Sequence, residues 1–203
     1  MSAKPRGRPR AYDQQTVIQQ VLQTFWRQGY ADTSVDDLCE AAGVNKASLY
    51  GGLGDKSQLY RLALSSYVQQ AGEGMAAVLG DHSLSIAQAL ERLMSHTVAL
   101  YGAGRGCFMV STAPLVAHQD EAVRELMQQA LAGQAAVLSA RFERARRDGE
   151  VRGTASDAAL AGLVAALMHS LSLRARAGMT EPALMQWAQA ELALVLALAG
   201  AQA

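Results

Sequence analysis

The clearest structural signal in the chain is the stretch of residues 33–53, which reads TSVDDLCEAAGVNKASLYGGL. Ser34 can cap a short helix, and the acidic residue three positions on can complete a capping box. Gly43 can end that helix, and Asn45 can cap another short helix through about Gly52. Two short helices joined by a tight glycine turn are typical of a helix-turn-helix motif.

The second of these short helices has two distinct faces. Leu49 and Leu53 are four residues apart, so they share one face and are predicted to enter the core. The opposite face carries small and hydrogen-bonding residues, namely Ala47, Ser48, Tyr50 and Gly51. Such a face can enter the major groove of DNA, although an ordinary solvated helix has the same pattern.

The rest of the chain also has apolar residues at helical spacing. Further helices are predicted at about 14–28, from near residue 56, and at about 84–101, 107–117, 120–148, 156–177 and 181–199. Aromatic residues make up only 5% of the chain and β-branched residues are sparse, which disfavours sheets. The sequence therefore predicts an all-α fold.

Charge is balanced over the whole chain but unevenly distributed. Eighteen Lys and Arg offset eighteen Asp and Glu. The first ten residues carry four basic side chains and no acidic one, whereas residues 11–60 carry three basic against six acidic. The positive potential that favours nucleic acid is therefore concentrated at the N-terminus.

The basic segment at residues 4–10 reads KPRGRPR. It resembles an AT-hook, in which arginines beside glycine and proline lie along the narrow minor groove of A·T-rich DNA. We expect Arg6, Arg8 and Arg10 to contact DNA in this way. A basic tail that serves only solubility is the alternative.

Residues 13–62 resemble the TetR family of bacterial transcriptional repressors in spacing and residue type. The residues that carry the resemblance are GY at 29–30, TSV at 33–35 with Leu38, AAGV at 41–44, SLY at 48–50 and DK at 55–56. The resemblance implies an N-terminal three-helix helix-turn-helix DNA-binding domain and a C-terminal helical domain for ligand binding and dimerisation. It also implies a homodimer that binds a palindromic operator in double-stranded DNA and leaves it when a small-molecule inducer enters the C-terminal domain.

The resemblance suggests three segments and a set of DNA contacts. We expect a flexible basic arm at 1–12, the DNA-binding domain at 13–56 and the regulatory and dimerisation domain at 57–203. Ser34 and Lys56 match positions at helix starts that contact phosphates. The recognition helix supplies Lys46, Ala47, Ser48, Tyr50 and Gly51, of which Lys46 can donate to guanine and Ala47 can touch a thymine methyl.

Two features of this surface depart from the family or stay open. The family usually has aromatic or histidine side chains where this chain has Gly51 and Gly52, so few side chains are left to read bases. Asp36 falls where some members read a base, but a carboxylate in the first turn of a helix also stabilises the helix dipole.

Cys107 follows Gly106 at the predicted start of a helix and lies next to Arg105. A helix N-terminus and a neighbouring cation both favour the thiolate form. The Gly-Cys step resembles the branch of the family that responds to N-ethylmaleimide, which implies a thiol-reactive inducer sensed by Cys107. The alternative is a buried cysteine that only packs, which is also the interpretation for Cys39.

The second half of the chain offers candidate pocket and dimer residues. An adaptable apolar pocket is predicted from Met75, Met94, Met109, Met127 and Met168 with Tyr101, Phe108 and Trp187. A dimer interface in the form of a four-helix bundle is predicted from Leu160, Leu163, Leu167, Leu171, Leu184, Leu192 and Val195, with an intramolecular core as the alternative.

Several function classes are disfavoured by the sequence. The histidines show no metal-ligand spacing, so no metal or other cofactor is predicted. The uncharged run 158–173 is shorter than a bilayer span needs, and the two cysteines lack a Cys-x-x-Cys spacing, so a cytoplasmic protein without a membrane segment is predicted. Two alternatives remain: an architectural DNA binder without sequence specificity, and an enzyme that uses Cys107 with His96 or His118.

Overall fold

The computed structural model describes residues 13–102 and 104–201. Within these residues the chain forms nine α-helices and no strand, which confirms the predicted all-α fold. The helices are α1 (Gln14–Gln28), α2 (Val35–Ala42), α3 (Lys46–Leu53), α4 (Lys56–Leu79), α5 (Ile86–Tyr101), α6 (Phe108–Ala117), α7 (Glu121–Arg147), α8 (Asp157–Arg176) and α9 (Glu181–Ala199). The predicted contacts of Arg6, Arg8 and Arg10 lie outside the described residues.

The chain divides into two compact units, one ending at Ser66 and the other beginning at Tyr67. α4 contributes its first half to the first unit and its second half to the second. The predicted domain boundary after residue 56 stays a prediction. In the structure the start of α4, as far as Ser66, belongs to the compact unit that contains α1 to α3.

The first unit is built around aromatic residues from α1 and α4. Phe25 and Tyr60 are fully buried and meet edge to face with ring centroids 5.2 Å apart. Leu38 of α2 and Leu49 of α3 are also fully buried. The short helices are therefore held by a small core that they share with two longer helices.

The helix ends of the first unit follow the local sequence closely. The Ser34 hydroxyl accepts a hydrogen bond from the Asp37 N–H at 3.1 Å, and the Asp37 carboxylate accepts one from the Ser34 N–H at 2.7 Å. Gly43 ends α2 in the left-handed conformation, with φ +64°. The predicted capping box and glycine turn are confirmed, and together they fix the start of α3.

The second unit packs α8 between α7 and α9, with α5 against α9 and α6 against α7. Arg146 closes one end of this packing. Its guanidinium donates to the Asp157 carboxylate at 2.9 Å and to the carbonyls of Gly153 at 2.8 Å and Ala155 at 2.7 Å. These bonds tie the end of α7 to the loop that leads into α8.

α8 and α9 are long and apolar enough to cross a membrane by length and composition alone. The helix around the uncharged run 158–173 has 20 residues, so length by itself does not exclude a span. Core helices of soluble proteins meet the same criteria, and α8 buries Leu160 and Leu171 while α9 buries Leu184 and Leu192 inside the unit. Their inner faces are thus occupied by packing against other helices.

Candidate DNA-binding surface and ligand cavity

α3 presents the two faces that the sequence predicts. Leu49 is fully buried and Leu53 nearly so, while Ala47 and Gly51 are exposed and Tyr50 has 43% of its surface accessible. The Asn45 side chain accepts a hydrogen bond from the backbone N–H of Ser48 at 2.8 Å, which caps the helix. The outer face of α3 therefore carries few bulky side chains, so the backbone of a binding partner can approach the helix closely.

Lys46, at the start of α3, is paired with a carboxylate of α2. Its Nζ lies 2.8 Å from Oδ1 and 3.0 Å from Oδ2 of Asp36, and both side chains are exposed. The hydrogen bond that Lys46 donates to the Asp36 carboxylate raises the pKa of Lys46 above its usual value. The ammonium that is predicted to donate to guanine therefore already forms an ion pair with a carboxylate on the same surface.

Ser34 and Lys56, the predicted phosphate contacts, both lie at helix starts. The Ser34 hydroxyl oxygen accepts the capping hydrogen bond from the Asp37 N–H. The two hydrogen bonds from Ser34 lower the pKa of Asp37. The Lys56 ammonium lies 3.4 Å from the Ala31 carbonyl oxygen and 4.5 Å from the centroid of the Tyr30 ring. Contact of these side chains with DNA stays a prediction.

A cavity of about 460 Å³ lies in the second unit, among α4, α5, α6, α7 and α8. Tyr67, Tyr101 and Cys107 are among its buried lining residues, whereas the lining residues His96 and Gln129 are exposed. Of the predicted pocket residues, Met75, Met109, Met168 and Tyr101 line it. The other predicted residues, Met94, Met127, Phe108 and Trp187, lie outside this lining. The sequence could not separate the two groups, because helical spacing alone does not say which neighbouring helix a face meets.

Cys107 lies at the N-terminal cap position of α6 with 6% of its surface accessible. The Tyr67 hydroxyl donates a hydrogen bond to its Sγ at 3.2 Å, and the buried Tyr101 lines the same part of the cavity. Burial raises the pKa of both phenols, so each keeps its proton at neutral pH. The thiol is thus held in the cavity wall beside two neutral hydroxyl groups.

The backbone around Cys107 is held by α8. The Cys107 N–H donates to Oγ of Ser172 at 2.8 Å. Gly106 has φ +61°, and a Cβ on it would lie 2.7 Å from the Ser172 carbonyl oxygen. A glycine is therefore required before Cys107, both for the left-handed conformation and for the close approach of α8.

Sequence reasoning missed Tyr67 and Ser172, which contact Cys107 from 40 and 65 residues away. No local signal marks them, since each lies within an ordinary helical pattern. Cys39 is half-buried, and burial raises the pKa of its thiol. The side chain that hydrogen-bonds to the Cys107 thiol is a phenol rather than an imidazole, which gives no support to a cysteine–histidine pair.

His169 also lines the cavity, and its Nε2 lies 3.2 Å from Oε1 of Gln134. Burial lowers the pKa of His169, which favours the neutral imidazole. Within residues 13–102 and 104–201 no group of three or more His, Cys, Asp or Glu is arranged to hold a metal ion.

The predicted dimer residues are mostly buried within one chain. Leu163 is 43% exposed, whereas the others, Leu160, Leu167, Leu171, Leu184, Leu192 and Val195, are buried. Leu194 and Leu198 of α9 are 65% and 52% exposed, and they line a shallow groove together with Leu163 and Trp187. Most of the predicted dimer residues therefore pack within their own chain. The apolar side chains that are exposed and could contact a second chain lie beside them.

Two family models match the chain. The model for bacterial regulatory proteins of the tetR family matches residues 18–63, and the model for a tetracyclin repressor-like C-terminal domain matches residues 86–191. The chain belongs to the TetR family. This confirms the family that the motifs at residues 29–56 resemble, and with it the predicted combination of an N-terminal helix-turn-helix domain and a C-terminal helical domain.

Relatives of this TetR-family protein include the HTH-type transcriptional repressor ComR of Escherichia coli, which is 26% identical over 94% of this chain and 92% of its own length. A solved structure of the TetR family transcriptional regulator CifR, a cysteine mutant complexed with 26 bp double-strand operator DNA, is 29% identical. It has a TM-score of 0.82 and covers 92% of this chain and 98% of that one. The reduced form of E. coli NemR is 18% identical with a TM-score of 0.79 over 93% of this chain and 98% of that one, which shows a shared fold. The protein is a DNA-binding transcriptional regulator of this family.

Proposed function

We propose that the protein is a homodimeric repressor that binds a palindromic operator through α3 and leaves it when a small-molecule or thiol-reactive inducer enters the cavity. The proposal rests mainly on the two faces of α3. Leu49 and Leu53 are buried and anchor the helix in the core, while the opposite face is exposed and has mostly small side chains. In this role the protein catalyses no reaction and acts in the cytoplasm.

DNA binding is supported by the chemistry of the α3 surface. Ala47 and Gly51 add little bulk, and Tyr50 brings an exposed hydroxyl. Ser34 and Lys56 lie at the starts of α2 and α4, where backbone N–H groups favour an anionic oxygen. The relative CifR has been solved with operator DNA, which fits the same use of this surface.

Dimerisation is supported by exposed leucines on the last two helices. Leu163, Leu194 and Leu198 would be covered if α8 and α9 met the same helices of a second copy around a two-fold axis. Such a dimer can bind two half-sites about 34 Å apart or somewhat more, which is the separation of successive major grooves.

Inducer binding is supported by the cavity and by the position of Cys107 in its wall. A volume of about 460 Å³ is within the range of small-molecule sites. The relatives CifR, solved as a cysteine mutant, and NemR, solved in its reduced form, suggest a role for the thiol. A thiol-reactive compound would reach Cys107 through the same opening as a non-covalent ligand.

The test is genome-wide mapping of bound sites followed by footprinting on one of them. We expect protection of a discrete inverted repeat. Ala47→Glu, which puts a carboxylate on the outer face of α3, should weaken binding about a hundredfold or more, because an unpaired charge would face phosphates. Ala132→Glu, at an exposed position of α7, is the matched control and should bind as the wild type does.

Two outcomes would contradict the proposal. Protection without an inverted repeat would favour an architectural DNA binder. Equal binding by Ala47→Glu and Ala132→Glu would remove α3 from the interface.

A further inference from the structure

The described residues that line the cavity of the second unit include no side chain with a permanent charge. No Asp, Glu, Lys or Arg is among them. The polar members of this lining are Tyr67, His96, Thr97, Tyr101, Cys107, Gln129, Gln134 and His169, and the others are apolar or glycine. The two phenols keep their protons and burial favours the neutral form of His169, as described above.

A charged ligand would lose its hydration in this cavity without gaining an opposite charge. Burying an unpaired ion costs far more than a neutral hydrogen-bonding group can return. An apolar molecule, in contrast, gains from contact with Met75, Leu93 and Met168. The lining therefore discriminates by charge.

The polar groups of the lining include both buried and exposed side chains. The Tyr67 hydroxyl meets Cys107 among the buried residues, while His96 and Gln129 are exposed. The apolar lining residues come from all five helices around the cavity. A ligand that fills the cavity would thus meet mainly apolar surface together with a few hydrogen-bonding groups.

We propose that the inducer of this protein is an uncharged, mainly apolar small molecule that carries one or two hydrogen-bonding groups. This proposal rests on the proposed function, which makes the cavity the sensing site.

A pair of fluorescent probes with one skeleton tests the selection by charge. N-phenyl-1-naphthylamine is neutral, and 8-anilino-1-naphthalenesulfonate adds a sulfonate to the same two ring systems. Titration of the full chain at neutral pH should give about tenfold or more tighter binding of the neutral probe. Gln129→Lys, which adds an ammonium at an exposed position of the lining, should raise the affinity for the sulfonate probe severalfold relative to the affinity for the neutral probe.

A filling variant locates the bound probe. Gly72 lines the cavity, and a Cβ built on it meets nothing within 4 Å, so Gly72→Leu puts a side chain into open space. Replacing a glycine within α4 also favours the helix, so the variant should fold. We expect it to lose about tenfold or more in affinity for the neutral probe, while Ala77→Leu, at an exposed position of the same helix outside the lining, keeps the wild-type affinity.

Equal binding of the two probes by the wild-type chain would overturn the proposed ligand class, and so would full binding of the neutral probe by a folded Gly72→Leu variant. The operator is tested separately. If neutral ligands bind selectively but no bound ligand changes operator affinity, the inducible function fails while the ligand class stands.

Discussion

Nζ of Lys46 lies 2.8 Å from Oδ1 of Asp36, so the recognition helix begins with a cation that is already paired. The pair joins α2 to α3 on the exposed surface. Exposed ion pairs contribute little to folding, so its effect should be on the charge that DNA meets. Asp36 holds the ammonium in place, but it would also present a carboxylate to the phosphates of a bound operator.

We expect Asp36→Asn to tighten operator binding about threefold to tenfold, because it removes a carboxylate and frees the Lys46 ammonium. Lys46→Ala should weaken binding and lower the salt slope by about 1. The measurement is a salt series of binding titrations. Glu143→Gln on α7 removes one negative charge far along the chain and serves as the control; if it acts as Asp36→Asn does, only net charge matters.

Deletion of residues 2–10 should weaken operator binding and flatten its salt dependence. The segment carries four basic side chains, and each neutralised phosphate contributes about 0.9 to the slope of log affinity against log salt concentration. The slope should therefore fall by up to about 3 to 4 in the same salt titrations. An unchanged slope would exclude the arm from the DNA contacts.

Cys107→Ser should bind operator DNA as the wild type does but fail to release it with an electrophile or peroxide. Tyr67→Phe, which removes the hydrogen bond to Sγ, should slow the alkylation of Cys107 severalfold, since that bond stabilises negative charge on sulfur. Mass spectrometry after timed alkylation measures this rate. If Cys107→Ser is released like the wild type, the inducer acts without the thiol.

His169 should make the second unit less stable as the pH falls below about 6.5. Its folded-state pKa is lowered by burial, so the unfolded chain binds the proton more readily and the stabilisation is lost as the pH decreases through this region. Thermal unfolding of wild type and His169→Gln at several pH values tests this; the variant should show a weaker dependence. His118→Gln, at an exposed histidine, should keep the wild-type dependence.

Arg146→Ala should lower the free energy of unfolding by about 1.5–3 kcal/mol, the range for hydrogen bonds to charged groups. The substitution removes the bonds to Asp157, Gly153 and Ala155 at the end of α7. Urea unfolding gives the value. Arg147→Ala, the exposed neighbour, should change the stability little, and equal losses in the two variants would show that only the helix charge matters.

The ends of the helices were the most predictable part of the fold. The start of α2 depends on Ser34 and Asp37, which are three residues apart, and its end depends on Gly43. Such caps are made by atoms close together in sequence, so a single chain is enough to recognise them. The same holds for Asn45 at the start of α3.

The pairing of distant side chains was not predictable in this way. The sequence predicted Cys107 at a helix N-terminus beside Arg105, and Cys107 does lie at the N-cap of α6, but nothing in the sequence indicated the hydrogen bond from Tyr67, 40 residues earlier. Lys46 was expected to be available to guanine, but it meets Asp36 ten residues earlier. Helical spacing assigned Leu160 and Leu171 to an apolar stripe without saying whether that stripe meets its own chain.

From residue types and spacing alone, the class of fold, the helix-turn-helix and the family could be inferred, because capping, helical periodicity and glycine turns act over a few residues. The partners of Lys46 and Cys107, the uncharged lining of the cavity and the leucines left open on α8 and α9 depended on how whole helices pack. Packing brings together residues that are tens of positions apart, and the burial that results sets both the exposure of each side chain and the proton equilibria of Tyr67 and His169.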